Sequence, residues 1–168
     1  KDGIVKEHIL TRSYAGFFDV SHMGQLFVSG DNSSDKNLEK IIPLDFKEIK
    51  MNQSKYSFLI NEKGGVIDDL IITRVDGGFN IILNAACKDN DIKEISKCLN
   101  SENKYELRKD LSLIALQGPK SESILDLIVK GVKRLKFMNG NYFGFQGKKI
   151  YITRSGYTGE DGFEISIL

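Results

Sequence analysis

Cysteine and histidine are scarce in this 168-residue chain, and neither sign of charge prevails. The two cysteines, Cys87 and Cys98, make no disulfide framework, and no CxxC or HxxxH pattern accompanies them. With only His8 and His22 besides, there is no ligand set for zinc, and no metal is expected. Lys plus Arg number 24 against 23 for Asp plus Glu, a formal net charge of +1. That balance supplies no basic field for a phosphate backbone, so nucleic acid is not the expected partner. No apolar run approaches the roughly 20 residues that a bilayer span needs, so no membrane is expected either. Residues Lys1 to Leu10 contain no apolar stretch of the signal-peptide kind. There is no Gly-x-Ser-x-Gly nucleophile elbow, which argues against a serine hydrolase. An initiating Met is missing, and Phe163 to Leu168 alternates like a strand and stops on an apolar residue. The expectation is that the chain is part of a longer protein. What is present, 40% hydrophobic and 28% charged residues, is ordinary globular composition. At this length roughly two-thirds of the unfolded surface can be buried, enough for a core without cross-links, in a reducing compartment.

Gln25 to Ser29 reads as a strand running into a turn at Gly30-Asp31. A helix should follow, with cap oxygens from Asn32 to Ser34, an apolar face at Leu38, Ile41 and Ile42, and Pro43 as its stop. Tyr56 to Ile60, Val66 to Val75 and Phe79 to Ala85 are β-branched or aromatic runs separated by Gly64-Gly65 and Asp76-Gly77-Gly78, which predicts an antiparallel meander. Asp89 or Asn90 is placed to cap a second helix whose inner face is Ile92, Ile95 and Leu99. Ser112 to Leu116 reads as a strand, and Pro119 as the first turn of a third helix carrying Ile124, Leu125 and Ile128. Tyr142 to Phe145, Lys149 to Thr153 and Phe163 to Ile167 read as strands again. The fold class is α+β, with largely antiparallel sheets and flanking helices.

The strongest local anomaly is Asp68-Asp69 inside Val66-Ile67-Asp68-Asp69-Leu70-Ile71-Ile72. Aspartate is depleted in strands because it loses solvation there, and successive strand residues face opposite sides. Either both simply open a strand after the Gly64-Gly65 turn, or one of them has a partner. Asn84, at the end of another apolar run, can read a heterocycle edge through its amide or merely form a turn. In Arg154-Ser155-Gly156-Tyr157-Thr158-Gly159-Glu160-Asp161-Gly162-Phe163-Glu164, glycines allow close backbone approach, Tyr157 offers a stacking face, and Glu164 can accept from a ring N–H and an amino group. This suits an aromatic, nitrogen-rich ligand, or is an ordinary Gly-rich loop. It is neither a P-loop nor a dinucleotide fingerprint, since glycines every third residue fit neither spacing. His22 is either a proton carrier or a hydrogen-bonded structural residue.

Four blocks occur in fixed order: Phe18-Asp19-Val20-Ser21-His22-Met23-Gly24; Gly64-Gly65-Val66-Ile67-Asp68-Asp69-Leu70; Leu116-Gln117-Gly118-Pro119; and the Arg154 to Glu164 segment. Together they resemble the T-protein family of the glycine cleavage system, the tetrahydrofolate-dependent aminomethyltransferases. The resemblance implies a three-domain fold around a central folate cavity, with the first domain discontinuous. Residues 1–27 and 124–168 would be parts of that first domain and 28–123 the inserted second, with the C-terminal domain, and an arginine it carries toward the folate, absent here.

The implied reaction moves a one-carbon unit from the aminomethyl-lipoyl arm of the partner H protein to tetrahydrofolate, giving 5,10-methylenetetrahydrofolate and ammonia. The same resemblance makes Asp69 the catalytic carboxylate, Glu164 the acceptor at the pterin edge, and Tyr157, Asn84, Tyr56 and Met23 the folate-binding residues around it. It implies cytoplasm in a bacterium and mitochondrial matrix in a eukaryote. Related readings are a folate-dependent demethylase and a non-enzymatic folate-binding paralogue serving iron–sulfur assembly. Ser155-Gly156-Tyr157-Thr158, standing where that paralogue carries a Cys-containing Lys-Gly-Cys-Tyr segment, argues against the last.

Overall fold

The computed structural model describes residues 3–30, 32–101 and 103–168, with all their side chains but those of 32 and 33. In chain order the elements are α1 (Ile4–Ser13), β1 (Gly16–Asp19), β2 (Gly24–Ser29), α2 (Asn32–Leu38), a 3-10 turn (Phe46–Glu48), β3 (Ser54–Ile60), β4 (Val66–Val75) and β5 (Gly78–Leu83). Then come α3 (Lys88–Cys98), β6 (Tyr105–Leu107), β7 (Ser112–Gln117), α4 (Ser121–Ile128), a second 3-10 turn (Val132–Arg134), β8 (Gly140–Phe145), β9 (Lys148–Thr153) and β10 (Gly162–Ile167). Every strand pairing is antiparallel, as the α+β reading requires.

Two compact units result, Lys1–Ser21 with Asp110–Leu168, and His22–Lys109. The resemblance puts the changeovers at 27/28 and 123/124. In the structure β2 pairs with β5 inside the second unit, while β7 pairs with β1 and β10 in the first.

The second unit is a five-stranded sheet in the order β3-β4-β5-β2-β6. Alternation along β2 sends Leu26 and Val28 inward to meet Ile72, Ile81 and Leu83 from the neighbouring strands, and Leu38, Phe46 and Ile95 close over them. Phe46 meets Phe79 edge-on at 5.0 Å between ring centroids. Each such fully buried side chain contributes about 1.5–3 kcal/mol. At the β3–β4 turn, Asn61 Oδ1 accepts from the backbone N–H of Lys63 and Gly65, and Gly64 takes φ +77, a conformation costly for any residue with a Cβ. The first unit is a sheet in the order β1-β7-β10-β9-β8, with Leu116, Ile150, Ile152 and Phe163 packed against Leu125, Val129 and Val132.

Several local expectations change. α2 stops at Leu38, where the ladder tightens: the N–H groups of Lys40 and Ile41 turn to Asn37 O and Leu38 O at 3.3 and 3.1 Å, three residues back, and Pro43 prevents the helix from resuming. Asp31 and the proposed cap side chains of Asn32 and Ser33 lie outside the described residues; Ser34 Oγ donates instead to Ser29 O at 2.6 Å. α3 starts ahead of Asp89 and Asn90, with Cys87 at its N-cap position and no side-chain cap. Pro119 precedes α4, and Ile128 is 59% exposed, so its inward face is Ile124, Leu125 and the following Val129. α1 shows no apolar stripe, because Ile4, Val5, Ile9 and Leu10 are exposed and only Thr11 is buried. No described helix is long and apolar enough to cross a membrane.

Candidate active site

In the second unit, strand register brings the singled-out residues to one end of the sheet. Gly24 pairs with Leu83 and Leu83 with Leu70, so Met23, Asn84 and Asp69 each lie one residue beyond those partners. Across β3, Phe58 faces Asp69 and Tyr56 faces Ile71. The β3–β4 register shifts just before Asp68, at a bulge that leaves Ile67 without a cross-strand partner.

Asp68 does not face away from its neighbour. The Asn84 amide nitrogen donates to Asp69 Oδ1 at 2.7 Å, to Asp68 Oδ1 at 3.0 Å and to Asp69 O at 3.2 Å, so one side chain ties both carboxylates together. Tyr56, half-exposed on β3, stands beside the Asp69 carboxylate; partial desolvation and that negative neighbour hold its phenol above the ordinary value. Burial works to raise the Asp68 carboxyl, but the Asn84 amide, the Asp69 backbone N–H and contacts to Asp91 and Cys87 outweigh it and hold the group below the usual carboxylate range. The negative charge of Asp68, with partial burial, raises the Cys87 thiol. Behind them Asp91, on α3 and 1% exposed, is pushed up to about 7 by burial and by the neighbouring Asp68 carboxylate.

In the first unit Glu164 lies on β10, 5% exposed. Ser155 Oγ donates to Glu164 Oε2 at 2.6 Å, and since that hydroxyl has one proton it accepts in turn from Thr153 Oγ1 at 2.7 Å. Burial raises the Glu164 carboxyl, and the Ser155 bond only partly offsets this. Buried Gln117 braces the loop: its amide donates to Ser155 O at 2.9 Å and accepts from Thr158 Oγ1 at 2.8 Å. A Cβ at Gly156 or Gly162 would fall 2.0 or 2.4 Å from that amide, which is why glycine stands at both. The loop's other charges have structural partners. Arg154 pairs with both oxygens of Asp161, and Glu160 with Arg12 at 3.0 Å. Tyr157 is 51% exposed.

A family model described as the GCVT N-terminal domain matches residues 1–168. The chain belongs to the GCVT N-terminal domain family. Among relatives of this GCVT chain are a mitochondrial aminomethyltransferase of Dictyostelium discoideum, 42% identical over 98% of the chain and 43% of the relative, and an aminomethyltransferase of Clostridium botulinum, 37% identical over 97% and 45%. The crystal structure of the glycine cleavage system aminomethyltransferase T from Bartonella henselae superposes with TM-score 0.86 at 40% identity, covering 98% of this chain and 45% of that one. A heterotetrameric sarcosine oxidase from Corynebacterium shares the fold, with TM-score 0.61 at 10% identity. The chain thus spans under half the length of the aminomethyltransferases it matches.

Within the GCVT domain, Asn84 is hydrogen-bonded to Asp69, Tyr56 lies beside that carboxylate, and Met23 stands half-buried at the same sheet end; Glu164 and Tyr157 belong to the other unit. His22 is exposed, its carbonyl taking Lys88 Nζ at 3.1 Å. Asp91 and Cys87 carry site contacts that no pattern singled out, while Gln117 and Ser155 stood inside the motif blocks without a role of their own. For Asp91 a signal existed: it lies four residues before Ile95, which puts a carboxylate on the buried stripe of a helix. Among the described residues no His, Cys, Asp and Glu are grouped to hold a metal ion.

Proposed function

We propose that this chain supplies the reacting carboxylate and a pterin-reading glutamate to a tetrahydrofolate-dependent aminomethyltransferase of the glycine cleavage system. In that reading the aminomethyl carbon arrives on the lipoyl arm of H protein and leaves as 5,10-methylenetetrahydrofolate, with ammonia and the dihydrolipoyl arm released. The protein would work in the cytoplasm of a bacterium or the mitochondrial matrix of a eukaryote, as the names of the mitochondrial relatives suggest for the latter.

The observation that carries the proposal is the Asp69 carboxylate held by Asn84 at 2.7 Å, with the Tyr56 phenol beside it. An ionised carboxylate has about four acceptor positions. The Asn84 amide takes one here, which fixes its orientation and leaves the rest for substrate N–H groups. Bound tetrahydrofolate would contribute the two nitrogens that take up the carbon. Asp69 orients and polarises their N–H groups, a stabilisation that depends on a preset anion in a partly desolvated place. Met23 offers a polarisable wall beside Asn84. Glu164 is suited to a pterin edge, because it is buried and its Ser155 bond occupies only part of its acceptor capacity. Tyr157, half-exposed in the same loop, supplies a stacking face.

The test is Asp69→Asn in the full-length protein with H protein and the remaining glycine cleavage components. Glycine-dependent folate methylenation should fall by about two to three orders of magnitude while folding is retained. Near-parental turnover would remove Asp69 from the reaction.

A further inference from the structure

Among the described residues, four carboxylate oxygens of the second unit are buried without a hydrogen-bond donor: Asp35 Oδ1, whose other oxygen is paired with Arg74, and three on one neighbouring pair, Asp91 Oδ1, Asp91 Oδ2 and Asp68 Oδ2. Asp91 is 1% exposed, and its carboxyl is a neighbour of the Asp68 carboxyl. Two carboxylates are acceptors only, so with both ionised they would face each other desolvated and repelling. A single proton between them resolves the conflict, turning one group into the donor the other lacks. We propose that Asp91 carries this proton and donates it to Asp68, and that Asp91 is thereby a positioning residue: it fixes Asp68, whose other oxygen takes the Asn84 amide that orients Asp69.

The path consists of contacts already given. Asp68 Oδ1 and Asp69 Oδ1 share the Asn84 nitrogen at 3.0 and 2.7 Å, so a swing of Asp68 moves the amide that aims Asp69. Asp91 itself is rigid, one helical turn from Cys87, whose carbonyl accepts its N–H at 2.9 Å, and one turn from the core residue Ile95. The groups facing the pair are Asp69 on β4, Tyr56 on β3 through Asp69, and the Cys87 thiol and Asn90 on the start of α3. The nearby lysine, Lys88, spends its ammonium on the His22 carbonyl. None of these neutralises Asp91 as a cation would, so a proton is the economical counter-charge. Burial and Asp68 push the Asp91 carboxyl up to about 7, so the proton is held below that pH and released above it.

The inference rests on Asp69 being the reacting carboxylate, and its test separates the two. In the full-length protein, Asp91→Asn keeps an N–H donor toward Asp68 but cannot titrate, whereas Asp91→Leu fills similar volume with no donor. Infrared difference spectra across pH 7, on protein with carbon-13-labelled aspartate, should show a protonated-carboxyl band that Asp91→Asn removes. With glycine cleavage components present, Asp91→Leu should lower kcat about ten- to a hundredfold with little change in KM for tetrahydrofolate. Asp91→Asn should restore kcat to near parental and abolish the alkaline fall in activity near pH 7. A missing band, or one that survives in Asp91→Asn, overturns the shared proton. Parental kcat in a folded Asp91→Leu, alongside an Asp69→Asn that is inactive, overturns the positioning role. An active Asp69→Asn overturns the catalytic reading instead, and the infrared result then stands by itself.

Discussion

Replacing Glu164 by Gln isolates what one buried charge does for ligand affinity, because the local structure can absorb the change. In the parental protein Thr153 donates to Ser155, and Ser155 donates to Glu164 at 2.6 Å. With glutamine present, the new amide can donate to Ser155 Oγ and the two hydroxyls can reverse direction, so the chain stays satisfied without moving a heavy atom. Burial already penalises the ionised form, as the raised carboxyl shows, so losing the charge should leave stability unchanged or slightly improved. A pterin edge that presents an N–H and an amino group needs two acceptors, and an amide opposes one donor with another. A mismatched polar pair in a closed place costs about 1–3 kcal/mol. At 1.4 kcal/mol per tenfold, the dissociation constant for tetrahydrofolate should rise about 5- to 150-fold.

The control is Glu160→Gln. Glu160 is bound to Arg12 at the surface, where such pairs contribute at most about 1 kcal/mol to stability and nothing to the proposed contact. Calorimetric titration of both full-length variants, with thermal melts in parallel, decides the matter. Equal dissociation constants for the two would mean that Glu164 is not a direct ligand. Weak binding with a lowered melting temperature would point to a folding defect rather than a lost contact. Because the Glu164 carboxyl is raised, parental affinity should also begin to fall on acidification at a higher pH than an unperturbed glutamate would give, and Glu164→Gln should lack that limb.

Gly162→Ala puts a methyl 2.4 Å from the Gln117 amide, which is 1% exposed and has no room to yield, so urea denaturation should show a loss of about 1–3 kcal/mol; Gly144→Ala, with open space around its Cβ, should lose nothing, and equal midpoints would refute the steric argument. Arg74→Met should destabilise the protein by about 3 kcal/mol in the same assay, because the Asp35 carboxylate, 8% exposed at its side chain, loses its 3.0 Å partner; an unchanged midpoint would show that solvent reaches Asp35. For Asp91, the folded-state value of about 7 lies above the ordinary 3.8, so its stabilising contribution is complete below 3.8 and lost as pH rises through 7. Asp91→Asn should flatten that part of the stability–pH curve, and an unaltered slope would place the titration elsewhere.

What the sequence determined without help is whatever depends on near neighbours along the chain. The three-strand meander follows from β-branched runs separated by Gly64-Gly65 and Asp76-Gly77-Gly78, and α+β class follows from alternation and helical spacing. Ordered motif blocks were enough to suggest the family to which the chain belongs. Local reasoning failed where a distant group decided. α1 has no buried apolar stripe to betray it, and β6 is three residues that count as a strand only because β2 offers an edge. Alternation set Asp68 and Asp69 on opposite faces, yet Asn84, fifteen residues beyond Asp69, gathers both onto one nitrogen. Gln117 looked like part of a short motif and proves to be the brace against which Gly156 and Gly162 pack. Asp91 was a polar letter on an apolar helix face, and only its burial against Asp68 gives it a proton to hold. Protonation state is set by what surrounds a group in space, because desolvation and Coulomb terms act over a few ångströms whatever the separation along the chain.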